Sequence, residues 1–155
     1  MLHTILIAGH AASGIAAFAL GCIGLRPRGQ RVSSTFRLYI GALWLLVLLL
    51  LMVVAIDWMT IGLTSRLIYG ALSLFALFIG WQGWQAFESL RRQVPDWKGA
   101  YIENVGFTLI ALFDGFVIIG ALDLGAPVWL VVAIGLLGIV VGRYALSRVR
   151  KGVAA

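Results

Sequence analysis

The stretch that decides the fold covers residues 40–56 and reads IGALWLLVLLLLMVVAI. It contains no charged residue, and the Trp44 indole is its only polar side-chain group. Only helices and closed barrels satisfy all of their backbone hydrogen bonds in hydrocarbon. A transmembrane strand would alternate apolar with polar residues, and this run does not alternate. The run therefore predicts a membrane-spanning helix.

The rest of the chain has the same character, since 62% of its 155 residues are hydrophobic and 12% are charged. Soluble domains are about 45–50% apolar and about 25% charged. Lipid must therefore solvate most of the exterior, and the sequence predicts a single all-α polytopic membrane domain over residues 1–155. Windows of about 20 apolar residues predict five spans, near residues 5–25, 38–56, 67–87, 101–121 and 127–146.

The positive charges predict how the helices are oriented in the membrane. Eleven of the twelve Lys and Arg residues lie on one side of the predicted spans: Arg26, Arg28, Arg31, Arg37, Arg91, Arg92, Lys98, Arg143, Arg148, Arg150 and Lys151. Only Arg66 lies on the other side. Short cytoplasmic loops carry the excess of basic residues, so we expect the N-terminus outside and the C-terminus in the cytoplasm. Clusters of this kind beside apolar runs are typical of contacts with anionic lipids, and no nucleic-acid partner is expected.

Small residues predict the faces through which the helices pack. Helices in lipid associate where small residues spaced four apart let their backbones approach closely. The chain has this spacing in Ala17 and Gly21, in Ala111 and Gly115, and in Gly138 and Gly142. Gly14 and Gly21, seven residues apart, share one stripe of the first helix. We expect all of these faces to contact protein.

Two ionisable residues fall well inside the predicted spans, His10 in the first and Asp114 in the fourth. At about 1.5 Å of rise per residue, both lie roughly 9–10 Å below the outer membrane surface. An ionisable group at this depth normally faces the bundle interior and has a partner. We therefore expect His10 and Asp114 to meet, either as an interhelical hydrogen bond or as a proton relay or ligand site.

Other polar residues are secondary candidates. Glu103 lies eleven residues before Asp114, on nearly the same side of the fourth helix, where it can reach headgroup water or Arg37. Asn104 and Thr108 widen this polar stripe, and Tyr39 lies close to Arg37 in the sequence. Gln82 and Gln85 alternate with two tryptophans at the inner end of the third helix, which favours interface anchoring or headgroup binding.

Metal and cofactor sites have little support in the sequence. The single cysteine, Cys22, excludes an internal disulfide and a multi-thiolate metal site. His3 and His10 are seven residues apart on one helix face, so one chain cannot clamp a haem between them. A dimer, or a His and Met pair, is the way in which haem could still bind. We expect no metal and predict no cofactor.

The beginning of the chain resembles a known family. His10, Gly14, Ala17 and Gly21, the basic loop and then Phe36-Arg37-Leu38-Tyr39 resemble domain-of-unknown-function family 2306, an uncharacterised family of small bacterial membrane proteins, over about 40 residues. Val32 and Phe36 stand where that family has a histidine and a glycine. The resemblance implies a multi-pass protein of the bacterial inner membrane and no particular activity.

These features favour a non-enzymatic membrane protein that binds lipid, an amphiphile or a partner subunit, with a homo-oligomer as one form of partnership. The alternative is a small transporter or proton-conducting component that uses His10, Asp114 and Glu103. A redox or hydrolytic enzyme is the least favoured class.

Overall fold

A computed structural model describes residues 1–25, 32–93 and 95–154. It contains five long helices: α1 (Leu2–Gly24), α2 (Ser34–Asp57), α3 (Leu63–Arg92), α4 (Trp97–Asp123) and α5 (Val128–Ala154). Each includes a stretch that is long and apolar enough to cross a membrane. The predicted all-α architecture with five candidate spans is therefore confirmed.

The helix ends follow from local chemistry. At the start of α2, the Ser33 hydroxyl accepts a hydrogen bond of 3.2 Å from the Phe36 backbone N–H, which caps the first turn. Between α4 and α5, Gly125 has a φ of +76°, a conformation that glycine adopts without the steric penalty of a side chain. Pro127, just before α5, supplies a fixed φ and needs no hydrogen-bond acceptor at the helix start.

The third helix continues beyond the predicted span, which ended at residue 87, and reaches Arg92. Glu88 and Arg92 form an ion pair one turn apart, and Leu90 between them is buried. The helix ends where Gln93 takes a left-handed conformation and donates its backbone N–H to the Ser89 carbonyl. Charged residues therefore extend this helix past its apolar stretch, because they pair along its surface.

The first four helices form a ring in chain order, in which α1 packs on α2, α2 on α3, α3 on α4, and α4 back on α1. Neighbours run antiparallel: His3 at the start of α1 contacts Asp57 at the end of α2, and Tyr101 at the start of α4 contacts Gly24 at the end of α1. Within the described ranges, α5 packs against α4 alone. The fold is thus a four-helix bundle with a fifth helix attached to its outside.

The core of the bundle belongs mainly to α2 and α4. Its fully buried large side chains are Phe36, Tyr39, Leu43 and Val47 from α2 and Tyr101, Ile102, Val105 and Thr108 from α4. Large apolar side chains cover the outside of every helix, as expected where hydrocarbon rather than water is the solvent.

Four of the predicted packing glycines lie at close helix contacts. A Cβ on Gly14 would lie 3.0 Å from Leu46 of α2, and one on Gly21 would lie 2.8 Å from Leu109 of α4. Gly138 and Gly142 of α5 lie against Asp114 and Ile110 of α4, while Ala111 is half-buried against the core.

Gly115 differs from these, because a Cβ there would meet nothing within 4 Å. The helix rotation that turns Asp114 toward α5 leaves Gly115 beside open space. Two glycines that the spacing rule did not single out, Gly83 and Gly106, lie against Leu43 and Leu146. At each of these contacts a leucine side chain lies against the glycine. Close packing of two helices therefore does not require the four-residue spacing of small residues.

Candidate ligand site in the membrane

His10 of α1 is tied to the neighbouring helix α2. Its Nδ1 lies 2.9 Å from the backbone carbonyl oxygen of Leu46. Since a carbonyl oxygen only accepts, Nδ1 carries the proton and donates it to this bond. The imidazole therefore has a partner in the backbone of α2, and its orientation is fixed there.

Asp114 of α4 lies on a different interface. The residue is 9% exposed, and its side chain packs against Gly138 of α5 so closely that a Cβ on that glycine would overlap Oδ1. It has no hydrogen bond or ion pair with any residue in the described ranges. A carboxylate at this depth without a donor is costly in hydrocarbon.

The structure thus does not pair His10 with Asp114, and each has its own neighbour. The rise per residue predicts that two side chains lie at the same depth in the membrane. Whether they meet also depends on how each helix is rotated about its axis. His10 lies on the side of α1 that faces α2, and Asp114 lies on the side of α4 that faces α5. Sequence spacing does not specify these rotations.

Glu103 also faces α5, where it forms an ion pair with Arg143. The basic partner that the sequence suggested was Arg37, which is exposed on α2. Glu103 and Asp114 share one side of α4, as their spacing predicted, but only Glu103 has a cation beside it. This ion pair joins α4 to α5 near the end of the bundle opposite His3.

Tyr39 and Thr108, both secondary candidates, meet in the centre of the bundle. Thr108 donates its hydroxyl proton to the Val105 carbonyl at 2.7 Å, so the Tyr39 hydroxyl donates to the Thr108 oxygen. This bond joins α2 to α4 across the ring. Both side chains are buried, and the network is complete without a ligand.

Two interhelical contacts could not be predicted from the sequence patterns. The Tyr101 hydroxyl donates to the Gly24 carbonyl at 2.6 Å and so satisfies a backbone group at the end of α1. At the opposite end, His3 Nε2 lies 2.9 Å from an Asp57 carboxylate oxygen. Tyr101 could have been identified as an amphipathic residue at a span end, whereas the Asp57 contact required knowledge of which helices are neighbours.

The remaining candidates do not join a common site. Gln82 and Gln85 on α3 and Asn104 on α4 are half-buried. Trp84 stacks on Phe87 at a ring-centroid distance of 5.4 Å, and Trp81 is exposed. Among the described residues, no group of three or more His, Cys, Asp or Glu side chains has the arrangement of a metal site.

A cleft of about 440 Å³ lies along α4, between α1 on one side and α5 on the other. It is lined by Phe18, Cys22, Leu25, Gly106, Leu109, Ile110, Phe113, Asp114, Val117, Ile134, Gly138, Val141, Gly142, Ala145, Leu146 and Val149. We call it the Asp114 cleft. Apart from Asp114, only Cys22 among these residues has a side-chain heteroatom.

The cleft follows directly from the packing of α5. Since α5 attaches to α4 and α1 closes the ring on the same helix, the two flank α4, and their described residues do not pack on each other. The close approach at Gly138 and Gly142 brings α5 onto α4, and the Asp114 side chain beside Gly138 lines the cleft. The result is an apolar groove with one buried acid.

The chain matches no protein-family model, no curated protein and no solved structure.

Proposed function

We propose that this chain is a multi-pass protein of the bacterial cytoplasmic membrane, with its N-terminus outside and its C-terminus in the cytoplasm. The five apolar helices support a polytopic membrane protein. The distribution of eleven basic residues against one supports the orientation. The bacterial assignment rests on the resemblance of residues 10–39 to family 2306.

Within that setting, we propose that the protein binds an amphiphile in the Asp114 cleft and carries out no chemical reaction on it. The observation that carries this proposal is the cleft itself, which is apolar and is lined by one acidic residue, Asp114, that is 9% exposed. Ligand pockets are commonly apolar, with a few polar groups that fix the orientation of the ligand, and have volumes of about 300–1,000 Å³. The cleft has both properties.

Contacts in the polar interior also favour binding over conduction. A proton path through the bundle would connect polar groups from one membrane face to the other. In the described residues, His10 is engaged by the Leu46 carbonyl, Glu103 by Arg143 and Thr108 by Val105 and Tyr39. These groups are parts of separate helix contacts.

Two adjacent valines on α5 provide the test. Val141 lines the cleft, whereas Val140 does not, and their exposed fractions are similar at 60% and 66%. The purified protein in a non-ionic detergent is offered dodecylamine, dodecanol and dodecanoic acid in turn, and bound ligand is counted by native mass spectrometry. At least one probe is expected to bind the wild type and Val140→Trp but not Val141→Trp, whose indole fills the cleft. Equal binding by both variants, or no binding of any probe, would contradict the proposal.

A further inference from the structure

The Asp114 carboxylate determines which amphiphile the cleft would accept. We infer that the cleft binds an amphiphile with a protonated amine on an apolar body, with the amine nitrogen donating hydrogen bonds to Asp114. The inference rests on the proposed amphiphile-binding function and specifies the ligand class for that same cleft.

The first step is the donor balance. An ionised carboxylate only accepts hydrogen bonds, and its two oxygens offer about four acceptor positions. No residue in the described ranges donates to Asp114. Its nearest neighbour, Gly138, offers no side chain. A ligand that completes this site must therefore bring its own donors.

Charge favours an ammonium group as that donor. Hydrogen bonds between two ionised groups are shorter than bonds between neutral groups and about twice as strong. Arg143 supplies a cation to Glu103, whereas none of the described residues forms an ion pair with Asp114 on the same side of α4. A primary amine has a pKa near that of lysine, about 10.4, and is protonated at neutral pH.

The size of the cleft favours a small molecule over a transmembrane segment of another protein. A helix with side chains is about 10 Å across. A volume of about 440 Å³ would hold only about one turn of such a helix. The same volume is within the range of small-molecule pockets.

Depth distinguishes a single-chain amine from a membrane phospholipid. Asp114 lies seven residues before Ala121, where the apolar stretch of α4 ends. This spacing places the carboxylate about 10 Å along the helix from that end. A phospholipid in its normal position keeps its amine beside its phosphate at headgroup level, whereas a single-chain amine carries no phosphate that would have to stay there.

The test compares three probes of equal chain length on the whole protein in non-ionic detergent at pH 7. Dodecylamine is expected to bind at least tenfold more tightly than dodecanol, and dodecanoic acid more weakly than either, because its carboxylate would lie beside Asp114. Asp114→Asn should reduce dodecylamine binding at least tenfold and leave dodecanol binding within about twofold. Asp114→Glu should retain the preference for the amine.

Glu103→Gln is the matched control, since it removes the other carboxylate on this side of α4 and leaves Asp114 in place. It should bind dodecylamine as the wild type does. Equal binding of amine and alcohol by the wild type, or undiminished amine binding by Asp114→Asn, would overturn the inference. Retention of phosphatidylethanolamine that dodecylamine does not displace would overturn it as well.

The outcomes separate the two proposals. If dodecanol and dodecylamine bind equally and Val141→Trp abolishes both, the cleft binds amphiphiles without selecting for an amine, and only the present inference fails. If no probe binds, the proposed function fails.

Discussion

At the scale of single residues, the polar side chains of this protein differ in their hydrogen-bond partners. Tyr39 and Thr108 satisfy each other and a backbone carbonyl in the bundle core. His10 binds a backbone carbonyl of the neighbouring helix. Asp114 alone among these four has no polar partner in the part of the chain that the structure describes. Stability and binding are therefore expected to depend on different residues.

The Tyr39 and Thr108 contact should contribute to stability. Thr108→Val leaves the Tyr39 hydroxyl buried without an acceptor, and an unsatisfied buried group costs about 1–3 kcal/mol. Tyr39→Phe removes the donor and should cost about 0.5–1.5 kcal/mol. The double variant should be less destabilised than the sum of the two, because the unsatisfied hydroxyl is absent. Thermal unfolding in detergent measures all three, and the half-exposed Tyr69 provides the control, Tyr69→Phe, which should have no effect. Strict additivity of the two substitutions would show that the contact contributes nothing.

At the scale of helices, glycines set the distances between elements. Gly14 lies between Leu46 and Phe116, where a Cβ would already be at 3.0 and 3.1 Å, whereas Gly41 of α2 has nothing within 4 Å. Gly14→Leu should therefore force α1 away from its neighbours and lower stability by about 1–3 kcal/mol, the usual cost of overpacking.

Gly41→Leu is the control for that prediction. It makes the same change in helix propensity, which is favourable by up to about 1 kcal/mol, at an exposed position. The melting temperature in detergent should fall for Gly14→Leu and stay level or rise for Gly41→Leu. Equal melting temperatures for the two variants would mean that Gly14 faces lipid.

The five helices could be predicted from the sequence because a membrane span is recognised from a continuous run of apolar residues. A run such as residues 40–56 predicts a helix whatever surrounds it, and the positions of Gly21 and Gly142 follow from local spacing. The ends were less predictable: α3 continues to Arg92 because Glu88 and Arg92 pair across one turn. A hydropathy window counts those charges against a helix and does not register that they neutralise each other.

The site was predictable only in part, for a geometric reason. Asp114 could be identified from the sequence because it is an acidic residue within an apolar span. Its position near Gly138 could not, because that contact depends on α5 lying beside α4. Its expected partner, His10, lies on a helix that is turned toward α2 instead. The neighbours of each helix, and its rotation toward them, depend on many packing contacts together. No single sequence motif predicts them.

At the scale of the whole molecule, five spans require that the two termini lie on opposite sides of the membrane. In a Cys22→Ala background, a cysteine at Met59, in the loop before α3, and one at Arg92, the last residue of α3, lie on opposite sides of that helix's span, and both native side chains are exposed. A maleimide that cannot cross membranes should label Met59→Cys in intact cells and label Arg92→Cys only after the cells are opened. The reverse pattern would invert the proposed orientation, and labelling of both in intact cells would mean that α3 does not cross the membrane.

The most direct test of the central claim is whether the Asp114 cleft opens to lipid or to water. Val117 lines the cleft one turn beyond Asp114, and a nitroxide attached to Val117→Cys in the Cys22→Ala background reports its surroundings by paramagnetic relaxation in liposomes. Val140→Cys, exposed on α5, serves as the reference for a label in lipid. Met59→Cys, exposed in the loop between α2 and α3, serves as the reference for a label in water. We predict that the label at Val117, like that at Val140, collides readily with oxygen and rarely with a water-soluble nickel chelate. Nickel accessibility equal to that at Met59 would contradict the account, because the cleft would then be a hydrated path rather than an amphiphile site.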